Sequence, residues 1–428
     1  MEDHNPKIKI EVKNTSKIFG KHSKRAAQLL KEGKTKQEIL KATGATVGVK
    51  DANFEVYDGE IFVIMGLSGS GKSTLVRMLN RLIDPTTGSI RLDGEDIVTM
   101  NKEQLREVRR KKIGMVFQNF ALFPHKTILE NTEYGLEIQG IAKAERQEKA
   151  RESLRLVGLA GYEDQYPGQL SGGMQQRVGL ARALANGPDI LLMDEAFSAL
   201  DPLIRKDMQD ELLQLHHDMG KTIIFITHDL DEALRIGDRI ALMKDGDIVQ
   251  IGTPEEILMS PSNEYVERFV EDVDLSKVLT AGHIVKKADT VQLDRGPRVA
   301  LRLMKRLRIS SIYVVDKGNR LLGAVTAQDA SAAAESGKSL EEVLTLDIPK
   351  TSADTVLTDL FDVVSTTAIP VAVVDERDRL MGIIIRGALI GALSGDGQFI
   401  NNGEQLDDTA SVPGIDVVEL EESGVSAQ

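Results

Sequence analysis

A glycine-rich turn between an apolar segment and a helix-like segment constrains the fold more than any other feature of this sequence. The turn reads GLSGSGKST at 66–74, follows EIFVIM and precedes LVRMLNRL. This order predicts a buried strand, a tight loop and the start of a helix. The backbone N–H groups of such a loop converge on one point, where the helix N-terminus adds positive potential. The stretch therefore predicts a phosphate-binding loop.

The residue types in this loop indicate a nucleoside triphosphate, ATP, bound together with Mg²⁺. Lys72 is expected to pair with the β- and γ-phosphates, and the Ser73 hydroxyl is expected to hold the metal ion. An ordinary glycine turn is the alternative, which the flanking strand and helix disfavour. The residues predicted to bind the nucleotide are Gly66, Ser68, Gly69, Ser70, Gly71, Lys72, Ser73 and Thr74.

Two further apolar segments end in residues suited to the same chemistry. ILLMDE at 190–195 predicts a buried strand followed by Asp194, a ligand of Mg²⁺ through water, and Glu195, which would polarise the water that attacks the γ-phosphate. IIFITHD contains His228 at the end of a strand, where ligands collect in parallel sheets, so it is expected to contact the γ-phosphate. Exposed loop acids and a structural histidine are the alternatives.

Strand-like and helix-like segments alternate from residue 60 onward, which predicts an α/β domain with a largely parallel sheet. Charged helical segments over about 119–186 predict a helical subdomain inserted into this sheet. KIKIEV predicts a half-buried strand of an N-terminal β subdomain, and the polar, helix-prone stretch at 21–47 predicts an insertion after it.

The last third of the chain contains a tandem repeat. SIYVVDKGNRLLGAVT at 311–326 is echoed by PVAVVDERDRLMGIII at 370–385, an offset of 59 residues. Six of the ten positions over 314–323 are shared with the second copy. Each copy predicts two strands joined by a polar turn, with helices around them, so the pair predicts one α+β module.

Composition limits the setting of these elements. The longest uncharged apolar run, IFVIMGL at 61–67, is far shorter than the roughly 18 residues of a membrane helix. No segment resembles a secretion signal, and the absence of cysteine suits a cytoplasmic protein. The net charge of −13 argues against a general nucleic-acid binder. Acidic residues after 396 predict a loose tail, with contact to a partner or membrane surface as the alternative.

A second glycine turn, LSGGMQQR at 170–177, precedes a helical segment with an apolar face and is a second candidate anion site. Because residues 66–74 already wrap one face of the nucleotide, Ser171, Gly172 and Gly173 are expected to act from another subunit. They would close over the γ-phosphate in a head-to-tail pair. The apolar face comprises Met174, Val178, Ala181 and Ala185.

LSGGMQQR, placed between the phosphate loop and ILLMDE, resembles the signature motif of the ATP-binding cassette (ABC) family over about residues 7–270. The resemblance implies a homodimer of cassettes that encloses two ATP molecules. It implies a Q-loop role for Gln118, as a metal ligand and catalytic residue, a D-loop role for Asp201 beside the nucleotide, and a switch role for His228. The family usually stacks adenine on an aromatic residue after the first strand, where Phe19 is the candidate although the insertion follows it at once.

The chain further resembles the ATP-binding subunits of bacterial glycine betaine/proline importers, through VIMGLSGSGKSTLVRMLNRLIDP, REVRRKKIGMVFQNFALFPH and DEAFSALDPLIR. This resemblance implies ATP hydrolysis coupled to import of an osmoprotectant. It also implies a polytopic membrane permease, either fused to or working with a substrate-binding protein, and a peripheral position on the cytoplasmic face of the membrane. A soluble cassette ATPase and a nucleotide sensor without a transport role are the alternatives.

The C-terminal pair is similar to two cystathionine-β-synthase (CBS) repeats. The expected domains are a nucleotide-binding domain over 1–275, CBS repeats over 276–335 and 336–395, and an acidic tail over 396–428. Adenosine-containing ligands of such repeats are bound by a Thr and an Asp, which Thr326 and Asp329 match in the first copy only. The resemblance implies regulation of transport by ionic strength or an adenine nucleotide, and a pair that only dimerises is the alternative.

Overall fold

The computed structural model describes residues 7–118, 120–271, 273–367 and 369–393. The chain divides into two units, Met1–Val273 and Asp274–Gln428. The predicted acidic tail over 396–428 lies outside the described residues.

Strands and helices alternate along the first unit. Its described strands are, in chain order, β1 (Ile8–Phe19), β2 (Thr46–Tyr57), β3 (Ile61–Met65), β4 (Thr87–Leu92), β5 (Glu95–Asp96), β6 (Ile113–Phe117), β7 (Ile190–Asp194), β8 (Thr222–Thr227), β9 (Arg239–Lys244) and β10 (Asp247–Gly252). Its described helices are α1 (Ser23–Lys31), α2 (Lys36–Thr43), α3 (Lys72–Leu79), α4 (Lys102–Lys111), α5 (Ile128–Ile138), α6 (Lys143–Leu156), α7 (Gly172–Leu184), α8 (Pro202–Met219), α9 (Leu230–Ile236), α10 (Pro254–Met259) and α11 (Glu264–Val270).

An antiparallel sheet in the order β2-β1-β4-β5 contains the N-terminal strand. The insertion after β1 forms α1 and α2, and both helices pack onto this sheet. Ala26 of α1 and Ile39 of α2 are fully buried against Ile18 and Val47 of the two strands. Because apolar side chains hold the insertion on both strands, α2 has a fixed position beside the end of β1.

The second sheet has the order β10-β9-β3-β8-β7-β6, and its strands are parallel except for β10. Every residue of β3, β7 and β8 is buried, as expected when helices cover both faces of a parallel sheet. Helix α3 packs on β7 and β8, and α9 packs on β3 and β8. Their cover explains why these strands are apolar throughout their length.

The carboxyl ends of four parallel strands lie in register. Met65 of β3 pairs with Thr227 of β8, Asp194 of β7 pairs with Ile226, and Phe117 of β6 pairs with Asp194. The loops that follow these strands therefore open at one edge of the sheet, the edge at which parallel sheets bind ligands.

Helices α5, α6 and α7 pack against one another, and α7 also contacts β6 and α8. Because α7 is contacted on several sides, its buried residues extend beyond the four that were predicted to form its apolar face. Leu180, Leu184 and the polar Gln176 are buried as well. The prediction was too narrow because it treated α7 as a surface helix with a single buried stripe.

The second unit repeats one small fold. Its described strands are β11 (Thr290–Gln292), β12 (Ser311–Val315), β13 (Leu321–Thr326), β14 (Lys350–Ser352), β15 (Val371–Val374) and β16 (Leu380–Ile384). Its described helices are α12 (Ala281–Ile284), α13 (Pro297–Leu307), α14 (Ala327–Ser336), α15 (Leu357–Thr366) and α16 (Arg386–Leu393). In each copy the first strand is parallel to the second, and the second is antiparallel to the third.

The two copies exchange backbone hydrogen bonds in a reciprocal way. Lys286, near the start of the first copy, bonds Ile383 of the second copy through both backbone groups, each at 2.9 Å. Thr345, which lies 59 residues after Lys286, bonds Ala324 of the first copy at 2.9 and 3.0 Å in the same manner. Each copy thus completes the last strand of the other.

Candidate nucleotide-binding site

Two glycines give the loop after β3 its shape. Gly66 has a φ of 147°, and a Cβ atom there would lie 2.2 Å from the Met243 carbonyl oxygen. Gly71 has a φ of 109°, and its Cβ would lie 2.5 Å from the Gly48 carbonyl oxygen. Both positions combine a left-handed backbone with close neighbours, so only glycine fits them.

Lys72 begins α3, and the loop closes around its side chain. Its Nζ donates hydrogen bonds to the carbonyl oxygens of Gly66 at 2.8 Å and Leu67 at 3.2 Å. Burial lowers the pKa of the Lys72 ammonium, and the nearby carboxylates of Glu195 and Asp194 oppose that shift. The ammonium is therefore held at the centre of the loop, where it suits a phosphate oxygen.

Ser70 supplies a test of whether an anion fits this loop. Its hydroxyl is buried and has no hydrogen-bond partner among the described residues. A buried hydroxyl without a partner is unfavourable unless a further group satisfies it. A phosphate oxygen would supply that acceptor, so the loop fits the group that its sequence predicts.

The structure brings together Ser73 and Asp194, two residues whose oxygen atoms are predicted to bind Mg²⁺. The Ser73 hydroxyl donates to Oδ1 of Asp194 at 3.1 Å, and Oδ2 of Asp194 lies 3.6 Å from the Arg77 guanidinium. Mg²⁺ is typically held by one or two such oxygens together with phosphates and waters. The pair therefore fits a nucleotide-bound Mg²⁺ better than a site made by protein groups alone, and no cluster of three metal-ligating side chains occurs among the described residues.

Glu195 lies at the centre of the polar contacts at the sheet edge. Its backbone has a φ of 48°, a strained value for a non-glycine residue. Its Oε2 accepts a hydrogen bond from Nε2 of Gln118 at 3.2 Å and lies 3.6 Å from Nδ1 of His228. The structure thus gathers the three predicted catalytic side chains from the ends of β6, β7 and β8.

A cavity of about 500 Å³ extends from the phosphate loop to the end of β1 and the insertion. Phe19, predicted to contact adenine, lines it and is 40% exposed. The full set of lining residues is Phe19, Lys36, Gln37, Leu40, Thr46, Val47, Gly48, Ser68, Gly69, Gly71, Lys72, Ser73, Thr74 and Glu195. A phosphate-binding loop and an exposed aromatic ring therefore share one cavity.

The second glycine turn does not line this cavity. Ser171 caps α7 by accepting a hydrogen bond from the Met174 backbone at 3.4 Å. Gly173 is packed tightly, because a Cβ there would lie 2.6 Å from Cγ2 of Ile204 in α8. Asp201, predicted to lie beside the nucleotide, caps α8 through the Ile204 backbone at 3.1 Å. Within the described chain the two glycine-rich turns thus stand apart.

Arg182 of α7 is a residue that sequence reasoning missed. Its guanidinium donates to the carbonyl oxygens of Phe120 at 2.8 Å and Ala121 at 2.6 Å. These two residues have left-handed φ values of 55° and 51° in the segment after Gln118. Burial lowers the pKa of Arg182. No sequence pattern links a helical arginine to a distant loop, so only the tertiary structure shows this contact.

Thr326 and Asp329, the predicted regulatory pair, bond each other in the second unit. The Thr326 hydroxyl donates to Oδ2 of Asp329 at 2.6 Å and accepts from the Asp329 backbone at 3.2 Å. The pair therefore caps the N-terminus of α14. In the second copy a cavity of about 250 Å³ is lined by Val364, Thr367, Ile369, Pro370, Val371, Ile384, Ile385 and Arg386.

Two family models match the chain. The model described as ABC transporter matches residues 49–198, which include the phosphate loop, Gln118 and the second glycine turn. The model described as CBS domain matches residues 281–336, the first C-terminal copy. Among the described helices none is long and apolar enough to cross a membrane.

Curated relatives match over nearly the whole chain. The glycine betaine transport ATP-binding protein OpuAA of Bacillus subtilis is 72% identical over 407 residues, covering 94% of this chain and 97% of the relative. The glycine betaine/carnitine transport ATP-binding protein GbuA of Listeria monocytogenes is 61% identical, covering 92% of this chain and 99% of the relative. The solved structure of cbiO1 from Clostridium perfringens, part of the ABC transporter complex cbiONQ, has a TM-score of 0.51 at 25% identity, covering 62% of this chain and 95% of that chain.

A parallel sheet whose edge carries a phosphate loop, an acidic strand end and a histidine defines an ATPase of the ABC cassette class. The C-terminal unit adds a CBS domain to this cassette. The chain belongs to the family of transport ATP-binding proteins that includes OpuAA and GbuA. The predicted fold class, the family resemblance and ATP hydrolysis as the activity are therefore confirmed, and the cassette binds a nucleotide.

Proposed function

We propose that this chain is the ATP-hydrolysing subunit of an importer for glycine betaine and related osmoprotectants. The observation that carries the proposal is the near full-length similarity to glycine betaine transport ATP-binding proteins. The grouping of Lys72, Asp194, Glu195 and His228 at one sheet edge supports the hydrolytic half of the proposal. The chain would work at the cytoplasmic face of the membrane, bound to a polytopic permease that is fused to or works with a substrate-binding protein.

ATP would lie in the cavity with its phosphates in the loop after β3. Lys72 and the backbone N–H groups of residues 66–74 would hold the β- and γ-phosphates, and the Ser70 hydroxyl would gain an acceptor. Ser73 and Asp194 would hold Mg²⁺, which when bound neutralises phosphate charge. The Ser73 and Asp194 side chains already lie within hydrogen-bond distance of each other, so they need little rearrangement to bind the metal ion.

Glu195 would act on the attacking water. Its carboxylate lines the cavity and lies beside His228, so it can accept a hydrogen bond from a water near the γ-phosphate. His228 would orient the carboxylate and contact the γ-phosphate. Gln118 at present donates to Glu195, so binding of ATP would have to redirect this amide.

The second glycine turn would complete the site of a partner subunit. Ser171 and Gly172 are exposed at the start of α7 and do not line the cavity of their own chain. A head-to-tail homodimer would place them over the γ-phosphate of the partner, where the helix N-terminus favours an anion. Closure and opening of this dimer would drive transport, a switch controlled by the γ-phosphate.

Gln118 would connect the nucleotide to the permease. The segment 120–137 leads from the sheet edge into the helical subdomain, and Arg182 holds its first two residues, Phe120 and Ala121. Movement of Gln118 on binding ATP would therefore be passed to this segment, which we propose as the surface that receives the permease.

The C-terminal unit would regulate the cassette. We propose two CBS repeats over about 276–335 and 336–395, supported by the reciprocal hydrogen bonds between the copies. An adenine-containing ligand at Thr326 and Asp329, or a response to ionic strength, would set the rate of transport. The mutual hydrogen bond of these two side chains means that such a ligand must compete with the helix cap.

The proposal is tested by ATPase activity of the complete complex in lipid vesicles, measured against salt concentration with and without glycine betaine. We expect activation by both, and a Lys72→Ala complex serves as the inactive control. Turnover that ignores salt and betaine would remove the transport assignment while leaving the ATPase in place.

The composite site has its own test. Ser171→Arg and Lys72→Ala each inactivate a homodimer, whereas a mixed dimer retains one intact pair of phosphate loop and signature turn. We therefore expect activity to appear when the two variants are mixed. Mixtures that form dimers but stay inactive would overturn the head-to-tail arrangement.

A further inference from the structure

The insertion between β1 and β2 contributes a whole helix face to the nucleotide cavity. Lys36, Gln37 and Leu40 of α2 line it together with Phe19. Leu40 follows Lys36 by four residues and Gln37 by three, so it shares a face of the helix with each of them. Ile39 is fully buried in the core under the insertion, and Gln37, two residues before it, lies on the opposite, exposed side of the helix.

Several contacts fix α2 beside the cavity. Thr35 and Glu38 form a capping box, with the Thr35 backbone donating to Glu38 at 2.8 Å and the Glu38 backbone donating to Thr35 at 3.3 Å. Gly44 ends the helix in a left-handed conformation with a φ of 67°. The Lys36 ammonium lies against Gly246 in the turn between β9 and β10. The caps thus define both ends of α2, and the burial of Ile39 with the contact between Lys36 and Gly246 holds the helix beside the cavity.

Leu40 and Phe19 are large apolar side chains that remain open to the cavity. Leu40 is 49% exposed and Phe19 is 40% exposed, although both belong to elements whose neighbouring residues, Ile39 and Ile18, are buried. Apolar surface of this kind at a cavity marks a place where a ligand covers it.

The position of Phe19 links this apolar surface to the phosphate loop. A Cβ on Gly48 would lie 2.7 Å from Cε2 of Phe19 and 3.4 Å from Cγ2 of Thr74. The ring therefore lies against the β2 backbone, next to the residue that ends the phosphate-binding sequence. The Lys17 ammonium lies 5.1 Å from the ring centroid. A nucleotide with its phosphates at Lys72 would place its base in this part of the cavity.

We propose that Leu40 of the insertion packs against the base of the nucleotide beside Phe19, the residue already expected to stack on it, so that the insertion is part of the binding site. The planar base would cover both side chains, and apolar burial with ring stacking would supply the affinity. This inference rests on the proposed function, because it assumes that the nucleotide occupies the cavity.

The test measures binding of ATP and of inorganic tripolyphosphate to the full chain by calorimetry, in wild type and Leu40→Ala. Loss of half-exposed apolar surface is expected to raise the dissociation constant for ATP about fivefold, while tripolyphosphate, which has no base, binds unchanged. Leu156→Ala is the matched control, since Leu156 is also 49% exposed on a helix and does not line the cavity. Leu40→Phe should retain ATP affinity.

Each other outcome overturns the inference. ATP affinity unchanged in Leu40→Ala would show that the base does not use α2, and equal losses for both ligands would indicate an effect on the phosphate loop. Lys72→Ala separates this inference from the proposed function. If Lys72→Ala binds both ligands with wild-type affinity, the assignment of the nucleotide site itself fails. If Lys72→Ala binds neither ligand while Leu40→Ala binds ATP with wild-type affinity, the site assignment stands and only the contact of Leu40 with the base is disproved.

Discussion

Gln118 donates a hydrogen bond from Nε2 to Oε2 of Glu195 at 3.2 Å, which joins the end of β6 to the end of β7. The same amide donates to the Ser198 hydroxyl at 3.2 Å. The carboxylate proposed to act on water is thus engaged by the side chain proposed to sense the γ-phosphate. If both proposed roles hold, this hydrogen bond connects binding of ATP to the activation of Glu195.

We expect Glu195→Gln to bind ATP with unchanged affinity and to hydrolyse it about 10³-fold more slowly, because an amide cannot accept the proton of the attacking water. The ATP-bound variant should also accumulate as a dimer. Single-turnover phosphate release and size-exclusion chromatography measure these two effects. Asp231→Asn, an exposed acid in α9, is the control. Normal turnover in Glu195→Gln would remove this residue from catalysis.

We expect Gly173→Ala to destabilise the cassette by about 1–3 kcal/mol, the usual cost of overpacking. The new methyl group would lie 2.6 Å from Cγ2 of Ile204. Gly172→Ala is the matched control, since its nearest neighbour would be 3.6 Å away. Urea unfolding of the full chain measures both. Ile204→Ala should partly rescue Gly173→Ala, and equal stability of the two alanine variants would contradict the packing argument.

We expect Arg182→Met to destabilise the cassette by about 2–3 kcal/mol, because hydrogen bonds from a charged group to two carbonyl oxygens are lost. The left-handed Phe120 and Ala121 would then lose their support. Limited proteolysis should cut this segment faster in the variant. Arg155→Met, where the arginine side chain is 60% exposed, should leave both readouts unchanged. Wild-type protection of the segment in Arg182→Met would disprove the supporting role.

Glu232 predicts a pH dependence of stability. Burial raises the pKa of its carboxyl, and hydrogen bonds with Thr227 and Gln209 oppose the shift. Because the folded state binds this proton more tightly than the unfolded chain, the stability that it contributes is lost as the pH rises from about 4.3 through the raised pKa.

The amide of Glu232→Gln cannot ionise, so the variant should be more stable than wild type at pH 8. The difference in the free energy of unfolding should be on the order of 1 kcal/mol at pH 8 and smaller at pH 5. Urea unfolding at both values measures the effect. Glu103→Gln, at a side chain that is 82% exposed, is the control. A change of the same size at both pH values would refute the assignment.

Much of the candidate site at the sheet edge could be predicted, because its residues follow a simple pattern in the sequence. Asp194 is the last residue of an apolar strand and His228 directly follows another, and parallel strands end at a common edge. Sequence therefore indicated which side chains lie near the phosphate loop. It also indicated that the second turn begins a helix, although not that Gly173 packs against α8.

The rest depends on contacts between segments that are distant in the chain. Arg182 lies 61 residues after Ala121, and a helical arginine offers no local sign of its partner. Leu40 belongs to an insertion whose pattern predicts helices but not where they dock. Gln176 is a polar residue that is fully buried because α7 is surrounded, which a single-stripe interpretation could not anticipate.

The reciprocal bonds of Lys286 with Ile383 and of Thr345 with Ala324 make the C-terminal unit an internal dimer. In a chain with only the first copy, Ala324 would lack the backbone partner that Thr345 provides. The segment around Lys286 would lack the strand of the second copy, at Ile383, to which it bonds. Two such chains could satisfy both needs by pairing with each other. The unit thus has the form expected from duplication of a small self-associating ancestor, in which fusion replaced the equilibrium between subunits with a permanent covalent link.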